Sequence, residues 1–173
     1  SDVYKRRVQT VLSLLRVLDN PSQDIPLAAV MKSYFGKFTS DEMAQLRAAD
    51  PGLPFFQCVQ QYVSDESAKA ELAEKVARFY EMLQQYRRRI PYTPIHRLLQ
   101  EILDESGYRN YVTALPAGEQ RRANLDMLME KAVAYEQTSY HGLFHFIRYI
   151  DRLMKYDIDY GEAEICLLYT SDA

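Results

Sequence analysis

The sequence contains no tryptophan, and it has only six glycines and two cysteines among its 173 residues. So few glycines argue against a glycine-rich nucleotide site or a propeller-like repeat. The cysteines, Cys58 and Cys166, are far apart and lack the close Cys/Cys or Cys/His spacing of a metal site. We therefore expect reduced thiols and a cytoplasmic protein.

Long apolar runs are also missing. Each apolar stretch is interrupted by charge within a few residues, so the sequence predicts no membrane-spanning segment. No charged and then apolar leader opens the chain, which predicts no export signal. The formal net charge is −3. Since the chain as a whole does not attract DNA, any contact with nucleic acid requires a local basic patch.

The motifs of the common catalytic sites are absent as well. A phosphate-binding loop needs a glycine before its Gly-Lys-Ser/Thr end, but Gly36-Lys37 is followed by Phe38 and has no matching glycine before it. No GxSxG nucleophile motif occurs. We interpret one acidic cluster as a solvated link rather than a metal-nuclease site: Asp157, Asp159, Glu162 and Glu164. We therefore expect no catalytic residue, cofactor or metal in this chain.

Two of the three histidines, His141 and His145, are spaced to share one face of a helix. Two such imidazoles are the beginning of a zinc site, but the HExxH motif needs a glutamate where this chain has Gly142. We interpret both as partners in aromatic packing beside Phe144 and Phe146.

Apolar residues recur with a helical period over nearly the whole chain. In the first helix the apolar positions are Val8, Val11, Leu12, Leu15 and Leu18. Further helices are predicted over residues 27–33, from a capping box at Thr39–Glu42 to before residue 50, and over 55–63, 64–89 and 123–135. Another begins at Thr93-Pro94 and ends at Gly107, and a last one begins at a Ser139 cap. The sequence thus predicts one compact all-α domain of about seven or eight helices.

Two of these helices supply positions that we expect in the core. Leu15 lies on the apolar face of the first helix. The apolar face of the last helix is predicted to contain Leu143, Phe144, Ile147, Ile150 and Leu153.

Basic clusters are the candidate nucleic-acid contacts: Arg87, Arg88 and Arg89, then Arg121 and Arg122, and in addition Lys5-Arg6-Arg7. Tyr86 and Tyr92 flank the triple arginine, where tyrosines can stack on bases. The alternative for the triple arginine is charge that favours a helix C-terminus. That alternative does not cover Arg121 and Arg122, which lie in or just before a first turn and need a carboxylate or a phosphate as partner.

Several stretches together resemble the 2B region of AddA-type proteins, which are bacterial ATP-dependent helicase/nucleases of the UvrD-like superfamily 1 helicases. They are residues 11–21 (VLSLLRVLDNP), 23–30 (QDIPLAAV), 105–108 (ESGY), 111–112 (YV), 115–125 (LPAGEQRRANL) and 135–150 (YEQTSYHGLFHFIRYI). The resemblance implies a helicase 2B-like accessory domain over residues 1–165. Residues 166–173 form a tail that does not resemble the family.

The resemblance further implies a hydrolase as the parent protein. It would unwind DNA, act as an exonuclease, use ATP and Mg²⁺ outside this region, and work in double-strand-break repair. The expected partners are duplex or forked DNA, the remaining motor domains and a B-type subunit. The alternative is a free-standing helical scaffold for protein interactions. The position of the domain's ends distinguishes the two, because an inserted domain leaves and re-enters its host at nearly one place.

Overall fold

The computed structural model describes residues 2–48 and 50–156, and these residues contain nine α-helices, one 3₁₀ turn and no strand. The prediction of an all-α domain is confirmed. The elements are α1 (Asp2–Asp19), α2 (Asp24–Lys32), α3 (Ser40–Ala48), α4 (Phe55–Ser64), α5 (Ala70–Arg89), the 3₁₀ turn (Ile90–Tyr92), α6 (Ile95–Glu105), α7 (Tyr108–Thr113), α8 (Gly118–Glu136) and α9 (residues 143–156). No helix among the described residues is long and apolar enough to cross a membrane.

Helix α1 forms the centre of the domain. Its residues from Val8 to Leu18 are buried on almost every side, and a helix that is apolar all round belongs in a core. Helices α2, α5 and α8 pack against it. Helix α4 contacts α5, α3 and α2, while α6, α7 and α8 form a second group. One continuous apolar core joins both groups and includes residues of α9.

Two local signals act where the sequence predicts them. The amide of Thr39 donates to Glu42 Oε1 at 2.9 Å, and the amide of Glu42 donates to Thr39 Oγ1 at 3.1 Å, which completes the capping box. Gly107 has a φ of 76°, the left-handed conformation that ends α6.

Several predicted helix starts are wrong: α2 begins at Asp24 rather than at residue 27, and α8 begins at Gly118 rather than at residue 123. Two further errors have a clear local cause. Helix α5 begins at Ala70 rather than at Ser64, because Asp65 Oδ1 accepts hydrogen bonds from the amide and the hydroxyl of Ser67 and so stabilises a turn. Helix α9 begins at residue 143, not after a Ser139 cap, since Gly142 before it has a φ of 92°. His141 therefore lies outside the helix.

The face that α9 turns to the core also differs in part from the prediction. Leu143, Ile147 and Ile150 are buried, but Phe144 is 51% exposed. Phe146 and Met154 complete the buried face instead. The assignment of Phe144 to the core is wrong, whereas that of Leu15, with no exposed surface, is confirmed.

Helices α4 and α6 are capped by carboxylates from distant parts of the chain. Prolines, Pro54 and Pro94, occupy their N-cap positions and provide no side-chain acceptor. For α4, Asp24 Oδ1 accepts the Phe55 amide at 2.9 Å, and for α6, Glu136 Oε1 accepts the His96 amide at 2.9 Å. Thr93 thus does not cap α6 as predicted.

Candidate nucleic-acid interface

The triple arginine lies in the last turn of α5, where positive charge is favoured by the helix dipole. Arg88 Nη2 is 2.9 Å from Glu81 Oε1 on the exposed side of the same helix. Arg89 Nη1 contacts two carboxylates of α6, Glu105 Oε2 at 2.7 Å and Glu101 Oε2 at 3.2 Å. Two of the three cations are therefore already paired within the domain.

Arg89 also lies over the ring of Tyr86, with its guanidinium carbon 5.1 Å from the ring centroid. The hydrogen bond to Glu105 is the main effect on the pKa of Arg89 and raises it. Burial of the guanidinium is the next largest effect and lowers the pKa, but the net result is a raised value. Tyr86 is only 4% exposed, and burial raises the pKa of its phenol. Its ring is therefore not presented to a base, whereas Tyr92 is 88% exposed.

Arg87 is half-buried, and its charge acts on Asp19 at the end of α1. Burial raises the pKa of Asp19, and the nearby Arg87 guanidinium opposes that rise. Arg87 therefore lies close enough to Asp19 for their charges to interact, and part of its side chain is covered.

The second cluster lies in the first turns of α8. Arg121 Nε donates to the carbonyl oxygen of Pro116 at 2.9 Å, so its partner is a backbone oxygen and not a carboxylate. Arg122 is exposed and lines an open cleft with Arg109, Asp126 and Glu130. Within that cleft Arg109 forms ion pairs with two carboxylates, Asp126 Oδ1 at 2.6 Å from its Nη1 and Asp104 Oδ1 at 3.2 Å from its Nε.

The basic cluster on α1 also contains both exposed and covered side chains. Lys5 and Arg6 are exposed on α1, while Arg7 is half-buried. His145 lies on α9, its ring centroid 5.4 Å from that of Phe144 and 5.8 Å from that of Tyr140, so its predicted packing beside Phe144 is confirmed. The prediction that His141 shares a helix face with it is wrong, because His141 precedes α9. Over residues 2–48 and 50–156 no group of three or more metal-ligating side chains is found. The acidic cluster at 157–164 and the tail from residue 166 lie outside the described residues.

Sequence reasoning missed one basic surface, the exposed face of α9. Arg148, Arg152 and Lys155 are exposed there at intervals of four and three residues, and His145 and Phe144 precede them on the same face. The signal was present in the spacing, but it is hidden in the sequence because the three cations are not adjacent. We refer to Phe144, His145, Arg148, Arg152 and Lys155 below as the α9 face.

A cleft lined with tyrosines adjoins the α9 face. Its walls are formed by the residues around the α8–α9 connection and by the outer side of α9: Tyr135, Thr138, Ser139, Tyr140, His145, Tyr149, Arg152, Leu153 and Tyr156. Its volume is about 460 Å³. The described residues that line it include two cationic or titratable nitrogen groups, His145 and Arg152, and no carboxylate.

Comparison with known proteins gives one consistent result. The chain is 45% identical over 158 residues to the A subunit of the ATP-dependent helicase/nuclease of Acetivibrio thermocellus, an alignment that covers 91% of this chain and 12% of that protein. It is 40% identical over 158 residues to the corresponding protein of Thermoanaerobacter sp., covering 91% and 13%. For the corresponding protein of Oceanobacillus iheyensis the identity is 38% over 156 residues, covering 90% and 13%.

The chain is therefore homologous to a segment of a bacterial helicase/nuclease. In particular, that segment belongs to the A subunit of the ATP-dependent helicase/nuclease. The chain spans only 12% to 13% of the length of these curated relatives. No protein-family profile matches the chain.

Proposed function

We propose that this chain is the accessory 2B region of the A subunit of a helicase/nuclease, and that it contacts duplex DNA beside the motor without taking part in catalysis. Homology to one segment of that protein supports the assignment to the parent. The relative arrangement of α1 and α9 is the observation that supports an inserted domain.

The last turns of α1 lie beside the first turns of α9. Arg16 of α1 binds Asp151 of α9 with two hydrogen bonds, of 3.0 Å from Nη1 and 2.6 Å from Nη2. Further along α1, Asp19 lines a cleft together with Phe144 and Ile147 from the beginning of α9. From these two contacts we infer that α1 and α9 run in opposite directions, so that the start of α1 and the end of the described part of α9 lie on the same side of the domain.

This arrangement suits a domain that leaves its host and returns to it at one place, and a free-standing scaffold has no such requirement. In the parent protein, the motor lobes and the nuclease would then hold ATP and Mg²⁺. The accessory region would support the motor beside the duplex and near a B-type partner subunit. The name of the relatives, ATP-dependent helicase/nuclease, supports these activities for the parent.

A titration of the chain against a labelled forked duplex tests the contact with DNA. Fluorescence anisotropy would be measured from about 50 to about 200 mM salt, over which phosphate contacts lose affinity steeply. We expect Arg88→Ala combined with Arg122→Ala to flatten the slope of log K against log salt by about two, because each phosphate contact on duplex DNA contributes about 0.9. Arg88 is included because its pair with Glu81 is exposed on both sides, and such a pair is readily exchanged for a phosphate. Arg89 is retained because it is half-buried and bound to both Glu101 and Glu105.

The matched control is Lys32→Ala combined with Lys69→Ala, which removes the same charge from exposed positions of α2 and of the connection before α5. Equal effects of both variants would indicate non-specific attraction. Absence of binding to the fork at the lowest salt would refute the contact with duplex DNA.

A further inference from the structure

We infer that the α9 face and the adjoining tyrosine cleft bind a single strand of DNA, with the phosphates on the cations and a base against the exposed rings. This inference rests on the proposed role beside DNA. Two things distinguish it from that role. The site does not include the arginines of α5 and α8, and the DNA that it binds is single-stranded rather than duplex.

The first argument is charge. Arg148, Arg152 and Lys155 are all exposed and lie within about one quarter of the helix circumference, as their spacing of four and three residues requires. The described part of α9 carries one carboxylate, Asp151, at the edge of this face. Arg16 binds both oxygens of that carboxylate, which offsets its charge. The face therefore presents a net positive surface in a chain whose overall charge is −3.

The second argument is the set of aromatic rings beside these cations. Tyr140 is 57% exposed and Phe144 is 51% exposed, so two large rings face the solvent next to the basic residues. Arg148 lies over the ring of Phe144, with its guanidinium carbon 5.7 Å from the centroid. Exposed rings beside cations are typical of proteins that bind unpaired strands, because every base offers a face for stacking. In a duplex the bases are already stacked on each other and cannot use these rings.

The third argument is the shape of the surface. The tyrosine cleft has a volume of about 460 Å³ and opens beside Arg152 and His145. A pocket within the range of small-ligand sites can accept one nucleobase. Its wall carries hydroxyl and imidazole groups, which can hydrogen-bond to a base without selecting one of the four. We therefore expect little sequence preference.

The experiment compares two probes, an oligo(dT) of about 16 nucleotides and a blunt duplex, with the parent chain and three variants. The charge variant is Arg148→Ala, Arg152→Ala and Lys155→Ala. The ring variant is Tyr140→Leu and Phe144→Leu, which keeps aliphatic contact but removes the stacking surface. The control variant is Lys32→Ala, Lys69→Ala and Arg78→Ala, which removes three exposed charges from other faces.

We expect the charge variant to bind oligo(dT) at least tenfold more weakly and to flatten its salt slope by about two, since each single-strand contact contributes about 0.7. We expect the ring variant to bind oligo(dT) about tenfold more weakly with an unchanged salt slope. Its affinity for the blunt duplex should stay the same. The control variant should retain most of the affinity of the parent chain.

Three results would overturn the inference. Unchanged oligo(dT) affinity in the charge and ring variants would show that the strand does not use this face. Equal losses for oligo(dT) and duplex in the charge variant, with no effect of the ring variant, would make it a duplex phosphate site. No oligo(dT) binding by the parent chain at the lowest salt would refute single-strand binding by this face. Fork binding that depends on Arg88 and Arg122 tests the proposed function separately.

Discussion

Gly118 shows how one missing methyl group determines the packing of two helices. It is the first residue of α8, and a Cβ atom at this position would collide with the backbone carbonyl of Thr113 at the end of α7. The left-handed residue of the turn is Ala117, with a φ of 56°, so Gly118 is required for close approach rather than for its backbone conformation.

We therefore expect Gly118→Ala to lower the free energy of unfolding by about 1–3 kcal/mol, because the backbone has to move apart. Urea unfolding measures the change. The control is Gly52→Ala, where the new Cβ would meet nothing closer than Asp50 Oδ1 at 3.5 Å, and the expected change is within about 0.5 kcal/mol. If both variants unfold at the parent's urea midpoint, the contact between α7 and α8 is not tight.

Glu42 supplies a prediction about pH. The hydrogen bond from Lys75 Nζ, at 2.7 Å, is the main reason that the pKa of Glu42 is lowered from 4.5, and the Thr39 amide contributes next. A lowered pKa means that the native state favours the carboxylate. The resulting stability is present above about pH 4.5 and is lost as the pH falls through the native pKa.

The substitution Glu42→Gln keeps the acceptor for Thr39 but removes the charge that binds Lys75. We expect it to destabilise the domain by about 0.5 kcal/mol at neutral pH, as for other partly exposed ion pairs. The difference from the parent chain should shrink as the pH falls below about 4.5 and vanish below the lowered native pKa, in urea unfolding measured across the pH range. A difference that stays constant from pH 7 to pH 3 would show that the charge is not its cause.

Leu15 and Phe144 mark the limit of residue-level prediction. Both lie at apolar positions of a helical period, yet Leu15 has no exposed surface and Phe144 is 51% exposed. Periodicity gives the helix but not its exact rotation, and Phe146 takes the core position that the pattern offers equally to Phe144.

We expect Leu15→Ala to cost about 2–5 kcal/mol and Phe144→Ala less than about 1 kcal/mol in urea unfolding. Equal costs would contradict this rotation of α9.

At the scale of elements, some of the local signals could be recognised in the sequence, whereas the distant caps could not. The capping box at Thr39 and the stop at Gly107 each depend on residues within one turn, so the sequence predicts them. The cap of α4 comes from Asp24, which is 31 residues away from the amide whose hydrogen bond it accepts. The cap of α6 comes from Glu136, which is 40 residues away from its amide. Only the packed fold brings such groups together.

Glu136 gives the corresponding prediction. We expect Glu136→Ala to destabilise the domain by about 1 kcal/mol, because the first turn of α6 loses the acceptor of its His96 amide. Glu130→Ala on the exposed side of the same helix is the control and should change stability by less than about 0.5 kcal/mol. Both are measured by urea unfolding, and similar losses would assign the effect to α8 itself.

The candidate site follows the same division. Arg87–Arg89 and Arg121-Arg122 stand out in the sequence because they are adjacent, but their partners lie elsewhere. Arg89 binds Glu101 and Glu105, which are 12 and 16 residues away. The cations of the α9 face are dispersed in the sequence and become a surface only when α9 is placed with Phe146 inward. A basic patch is therefore a property of the folded helix, and adjacency in the sequence is a poor guide to it.

For the whole molecule, α9 is the element that closes the core around α1. Phe146 and Ile150 have no exposed surface and belong to the same apolar cluster as Leu15. We expect a chain that ends after residue 142 to lose its single cooperative urea transition, because the cluster around α1 would open to water on that side. Circular dichroism and tyrosine fluorescence, followed on one sample, report whether the two transitions still coincide.

The control is Arg16→Ala, which breaks the ion pair with Asp151 and leaves the apolar contact in place. It should keep one transition and lower stability by no more than about 1 kcal/mol. A shortened chain that unfolds in one transition, near the parent midpoint, would show that α9 only lies against a core already complete without it, and the adjacency of α1 and α9 would no longer support an inserted domain.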